Sequence, residues 1–111
     1  MAGLTLDRLN PYRQITNLWT TIIQGREMPF PAASLKTWAN EAIAAMPSLP
    51  IPAGKDGNAW AMLGSLYYKS LDPDWTGDYR DIQRCEEAKR CYQEALRISD
   101  VPMWKDFFDG F

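Results

Sequence analysis

The 111-residue sequence contains no histidine and only two cysteines. Histidine is the commonest general base, proton shuttle and metal ligand, so its absence lowers the expectation of an enzyme and of a metal site. The cysteines are Cys85 and Cys91, which would lie about 9 Å apart along one helix. That spacing exceeds the usual Cα separation of a disulfide and is not a Cys-x-x-Cys pair. We expect two small apolar residues at a packed face, and no cofactor.

Long apolar runs and basic stretches are also missing. No run approaches the ~20 apolar residues that cross a bilayer. The formal net charge is −2, and no cluster of cations is present to neutralise a phosphate backbone. The N-terminal residues 1–8 lack the charged start and long apolar run of a signal peptide. We therefore expect a cytoplasmic protein that binds neither nucleic acid nor membrane.

The composition fits one globular domain spanning 1–111. Hydrophobic residues make up 46% of the chain and charged residues 23%, which is ordinary for a folded protein. The aromatic content of 13%, with five tryptophans, is high. Large aromatic side chains strengthen a small core and also anchor interfaces, so composition leaves both uses open.

Apolar residues recur at helical period in four segments, which predicts helices at about 10–25, 32–46, 58–70 and 79–99. Asn10 and Pro11 have the residue types of an N-cap and a first helical position, and Asp78 can cap the fourth helix. Residues 47–57 are rich in proline and glycine and read as a linker. No segment alternates with a period of two. We expect an all-α fold of antiparallel hairpins without a sheet.

The predicted helices give a first hairpin at 10–47 and a second at 58–99. A C-terminal segment, 102–111, fits one or two more helical turns through its apolar residues Met103, Trp104, Phe107, Phe108 and Phe111. These side chains have two interpretations. They cap the end of the fold, or they form an exposed anchor for a partner.

The second hairpin carries two spaced patterns. The first helix has Trp-x2-Leu-Gly-x2-Tyr at Trp60, Leu63, Gly64 and Tyr67, and the second has Ala-x3-aromatic-x2-Ala at Ala88, Tyr92 and Ala95. Together they resemble a tetratricopeptide repeat. The resemblance implies that Gly64 lets the second helix pack closely and that Ala88 and Ala95 receive it. Ala88 comes about twelve residues later than the family pattern, which makes residues 72–83 an insertion.

A weaker similarity lies upstream. Aligning Trp19 with Trp60 places Ile22, Ala42 and Pro47 where the family has Leu, Ala and Pro. Ile23 and Leu35 depart from the pattern at the glycine and first alanine positions. A second, degenerate repeat here would make segment 102–111 the cap that a solenoid end requires.

The resemblance implies a scaffold whose first helices line a groove for a peptide or a partner helix. The groove-facing positions would be Asn17, Thr20, Gln24, Asn58, Ala61, Ser65, Tyr68 and Lys69. Trp75 lies in the insertion, away from any helical stripe, and is a predicted surface contact. A groove that clamps a chaperone C-terminal carboxylate uses several cations, and this chain offers only Lys69 with two asparagines.

The acidic residues have structural interpretations. Asp72, Asp74, Thr76 and Gly77 match the opening of a calcium-binding EF-hand loop, but Gln83 replaces the glutamate at its twelfth position. A turn leading into a helix explains them better. Four other carboxylates alternate with arginines and lysines, which is typical of a solvated helix face, at Asp81, Glu86, Glu87 and Glu94.

These features favour a small protein–protein interaction module, acting as an adaptor, assembly factor or regulator. Its partner would be another protein, reached through the groove or the insertion. Two other classes stay open. One is a structural subunit of a homo-oligomer or larger complex, and the other is a small enzyme that uses the carboxylates between Asp72 and Asp81.

Overall fold

The computed structural model describes residues 4–25 and 27–98, except the side chains of Tyr79 and Gln83. It contains four α-helices, which are α1 (Pro11–Trp19), α2 (Ala32–Ala45), α3 (Asp56–Leu71) and α4 (Glu86–Ile98). A π-helical turn, Thr20–Gln24, continues α1, and 3-10 turns occupy Met46–Ser48 and Tyr79–Arg84. The described residues include no strand, so the predicted all-α class is confirmed. The predicted C-terminal segment 102–111 lies outside them.

Within the described residues, none of the helices has both the length and the apolar character needed to cross a membrane.

The first helix begins where the sequence predicts, with Pro11 at the first helical position. Asn10 is the N-cap residue, but its side chain makes no capping hydrogen bond. Asp7 instead holds the turn that precedes the helix, because its Oδ1 accepts from the backbone N–H groups of Leu9 and Asn10 at 2.9 Å each. The turn that starts the helix is therefore held by the N-terminal arm.

The fourth helix begins later than the predicted residue 79. A 3-10 turn runs from Tyr79 to Arg84, capped by Asp78, and Cys85 is extended before α4 starts. On one continuous helix, Ile82 and Ala88 would point about 120° apart and could not both face α3. The break at Cys85 removes this conflict, because Ile82 and Ala88 are both fully buried in the structure.

Helix α3 lies at the centre of the packing. One side meets the helices before it, in a cluster that includes Met62, Leu63 and Leu66. Another side contributes Ala61 and Tyr68 to a second cluster, which contains residues of α4 and of the chain between α3 and α4. A helix buried all round belongs to a core rather than to a surface. Few positions on α3 are therefore left to line an open groove.

Helix α4 packs closely on α3 at Gly64. A Cβ atom at this position would lie 3.0 Å from the carbonyl oxygen of Ala88 and 3.1 Å from side-chain atoms of Cys91 and Tyr92. The predicted close packing of Gly64 against Ala88 is confirmed. Cys91 is fully buried there, and its burial raises the pKa of the thiol to about 12. The predicted small apolar role of Cys91 is confirmed as well.

The contact at Gly64 predicts a stability loss for Gly64→Val. The added carbons would meet backbone and side-chain atoms of α4, and overpacking of this kind costs about 1–3 kcal/mol. Urea unfolding followed by circular dichroism measures the change. The control is Asn40→Val on an exposed position of α2, which we expect to shift the unfolding free energy by about 0.5 kcal/mol or less. Equal unfolding free energies for both variants would contradict the close approach.

Candidate functional site

The predicted binding residues fall into two groups by exposure. Three on the first helical segment are exposed, which are Asn17, Thr20 and Gln24. The others belong to α3 and the chain after it, and most of them are buried. Asn58 is half-buried, while Ser65 is 0%, Tyr68 6%, Lys69 4% and Trp75 4% exposed. The structure therefore does not bring all of them to one open surface.

Of the exposed group, Asn17 lines a cavity of about 330 Å³. The lining comes from the N-terminal arm and α1, with Asp7, Asn10, Arg13, Gln14, Asn17 and Leu18. Gln14 is held in place from both sides. Its Oε1 accepts from the backbone N–H of Asp7 at 2.8 Å and from Trp38 Nε1 at 3.1 Å, and its Nε2 donates to the carbonyl of Thr5 at 2.6 Å. The cavity wall is thus fixed before anything binds.

Thr20 and Gln24 lie at the two ends of the π-helical turn. Such turns insert an extra residue into a helix and are frequent at functional sites. The residue just before it is Trp19, whose Nε1 is buried and has no hydrogen-bond partner among the described atoms. A buried donor without an acceptor costs stability.

Ser65 faces α4 rather than an open groove. Its hydroxyl shares a hydrogen bond with the hydroxyl of Tyr92 and donates to the carbonyl of Ala61 at 3.3 Å. The expectation of an open position at Ser65 is wrong, because Tyr92 of α4 covers this side of α3. Its assignment to a partner stays a prediction.

Residues 72–85, which we call the inter-helix segment, cover the next part of α3. The rings of Trp75 and Tyr68 pack in a T-shaped arrangement, with centroids 5.2 Å apart and an interplanar angle of 65°. Lys69 Nζ donates to the carbonyl oxygen of Trp75 at 2.8 Å. The expected exposure of Trp75 is therefore wrong. Its large apolar ring is more stable against Tyr68 than in water, although the residue belongs to no helical stripe.

The carboxylates of the inter-helix segment are engaged locally. Asp78 accepts hydrogen bonds from the guanidinium and the backbone N–H of Arg80, which lower the pKa of its carboxyl group. Asp81 pairs with Arg84 at 3.0 Å. Among the described residues, no group of three or more His, Cys, Asp or Glu side chains is arranged to hold a metal ion.

The outer face of α4 is charged, as the sequence predicts. Glu87 pairs with Arg90 and Glu94 pairs with Arg97, each three positions apart. Both pairs are largely solvent-exposed, so they contribute little to stability. The predicted solvated face is confirmed.

Comparisons with protein-family models, with curated proteins and with solved structures find no significant match to this chain. Function is therefore argued from its own residues and contacts.

Sequence reasoning missed the cavity lining and one contact of Tyr68. Arg13 and Gln14 follow no motif, and Gln14 acts through the arm at Thr5 and Asp7, which a helical period does not reveal. Arg84 Nη2 reaches the hydroxyl of Tyr68 at 3.4 Å. The sequence signal that could have indicated this contact was the position of Gln14, in the first turn of a helix that follows the N-terminal arm.

The buried packing of Trp75 against Tyr68 predicts a stability loss for Trp75→Ala. Removing the ring leaves a cavity against Tyr68, and losses for buried tryptophan are about 3 kcal/mol or more. Chemical unfolding measures it, with Thr76→Ala as the control at an exposed neighbour. A Trp75→Ala chain as stable as the control would show that the ring does not pack as described.

Proposed function

We propose that this chain is a small helical module that binds another protein, as an adaptor, assembly factor or regulator. Its accessible contact surface is the polar face of α1 and the π-helical turn. One observation carries the proposal. Asn17, Thr20 and Gln24 are exposed on one side of a helix, and Asn17 lines a cavity whose wall is held by Gln14.

The chemistry of this face suits protein recognition. Its side chains are neutral donors and acceptors, joined by the exposed cation of Arg13. Polar groups of this kind form directed hydrogen bonds with a partner's backbone and side chains. The opposite side of the helix is anchored in the core through Ile15 and Ile22, both fully buried. A surface on an anchored helix binds without a large ordering cost.

The tetratricopeptide resemblance of Trp60, Gly64 and Tyr67 supports a binding role over catalysis. Among the described residues, the exposed large apolar side chains are Leu9, Leu71 and Ile98. Single exposed apolar residues are normal on a monomer.

A charge-introducing variant tests the surface. We expect Asn17→Arg/Thr20→Arg/Gln24→Arg to reduce recovery of specific partners in affinity capture about tenfold or more, because three long cations block the polar face. Quantitative mass spectrometry measures the recovery. The matched control, Asn40→Arg/Ser48→Arg/Gln93→Arg, adds the same charge at three exposed positions elsewhere and is expected to retain the partners.

Circular dichroism melting of all three proteins establishes that the variants remain folded. Capture of the same set of proteins by wild type, variant and control would contradict the proposed surface.

A further inference from the structure

We propose that the inter-helix segment occupies a peptide-binding site on α3, and that a partner peptide with an aromatic residue displaces it. This inference rests on the proposed binding function and names the chemistry of a second, covered surface. In the structure, Trp75 of the chain itself fills the position that the aromatic residue of the partner would take.

The first element of this site is Lys69. Its side chain is 4% exposed, and its ammonium donates to the main-chain carbonyl of Trp75 at 2.8 Å. A buried ammonium needs an acceptor, because removal from water without one is costly. A main-chain carbonyl is an acceptor that any peptide can supply. The group that satisfies Lys69 is therefore replaceable by a partner.

The second element is Tyr68. Its ring packs against the Trp75 ring in an edge-to-face arrangement, which is available to any aromatic side chain. Lys69 and Tyr68 are consecutive on α3, so together they would recognise one residue of a peptide. Lys69 contacts its carbonyl and Tyr68 contacts its ring.

The inter-helix segment keeps much of its hydrogen bonding to itself. The N–H of Trp75 donates to the carbonyl of Asp72 at 3.0 Å, and Trp75 Nε1 donates to the carbonyl of Asp78 at 3.0 Å. The N–H of Cys85 donates to the carbonyl of Ile82 at 2.9 Å. Gly77, at φ +92°, supplies the left-handed turn between these bonds. Departure of the segment from α3 would therefore keep these bonds and break the contacts that Trp75 and Ile82 make in the buried cluster around Tyr68.

Because the site is covered, binding of a partner peptide depends on prior opening of the inter-helix segment. A peptide that competes with a tethered occupant binds with an affinity reduced by the fraction of molecules that are open. Weakening the seating of Trp75 should therefore strengthen binding of an external peptide, while removing Tyr68 should abolish it. A segment that served only as core packing would show neither effect.

Hydrogen exchange on the wild-type chain tests the opening. Across a series of low denaturant concentrations, we expect the amides of Asp72 and Lys89 to exchange by a local opening with little denaturant dependence, because their hydrogen bonds to the carbonyls of Tyr68 and Cys85 join the segment to α3 and α4. The buried amides of α3 should exchange only through global unfolding. Exchange of both sets with the same denaturant dependence would overturn the proposal, since the segment would then open only with the whole fold.

Peptide binding tests the recognition. The probe is a synthetic peptide of residues 72–85, added to wild type and to Trp75→Ala, with backbone amide resonances followed by NMR. We expect the Trp75→Ala chain to bind it at least about tenfold more tightly than wild type, with shifts at Tyr68 and Lys69. A peptide carrying Trp75→Ala should not bind, and a Trp75→Ala/Tyr68→Ala chain should not bind the native peptide. Equal affinity of wild type and Trp75→Ala would overturn the proposal.

These results are independent of the α1 surface. If Asn17→Arg/Thr20→Arg/Gln24→Arg leaves partner capture unchanged while the peptide binds as expected, the α1 proposal fails and the α3 site stands. If the peptide fails to bind and the α1 variant loses its partners, the α3 proposal fails and the α1 surface stands.

Discussion

The burial of α3 on both of its sides is the constraint on which the rest of the structure depends. Helices α1 and α2 cover one side through the cluster around Leu63, and α4 with the inter-helix segment covers the other around Tyr68. Close approach at Gly64 fixes the position of α4. Once both sides are covered, polar residues of α3 must find partners inside the chain, and Ser65 and Lys69 do so.

This constraint also decides where the chain can contact other molecules. The α3 residues that the repeat resemblance assigns to a groove are enclosed by Tyr92 and Trp75, while those of α1 remain open. In the binding role that we propose, Asn17 and Gln24 form the accessible surface and Lys69 belongs to the covered one. The covered surface is held by the packing of Trp75 and Ile82 and by the hydrogen bond between Arg84 and Tyr68, so its availability depends on the strength of these contacts.

The helical period of the apolar residues predicted the four helices, and the repeat resemblance predicted the contact of Gly64 with Ala88. The first pattern is local in sequence, and the second depends on one pair of facing residues. The interruption at Cys85 was not predicted, because Ile82 and Ala88 were assigned to one helical face although they point about 120° apart on a continuous helix. The burial of Trp75 was not predicted either. Its position depends on how a segment without periodicity folds back onto α3, which local sequence does not encode.

Lysine footprinting tests the enclosure of α3 most directly. The native chain is treated briefly with an amine-reactive reagent, and modification at each lysine is quantified by mass spectrometry. Lys36 and Lys55 are exposed and Lys69 is 4% exposed, so the account predicts modification of Lys69 at least about tenfold slower than of the other two. Modification of Lys69 at the rate of Lys36 would contradict it, because the inter-helix segment would then not cover α3 in solution.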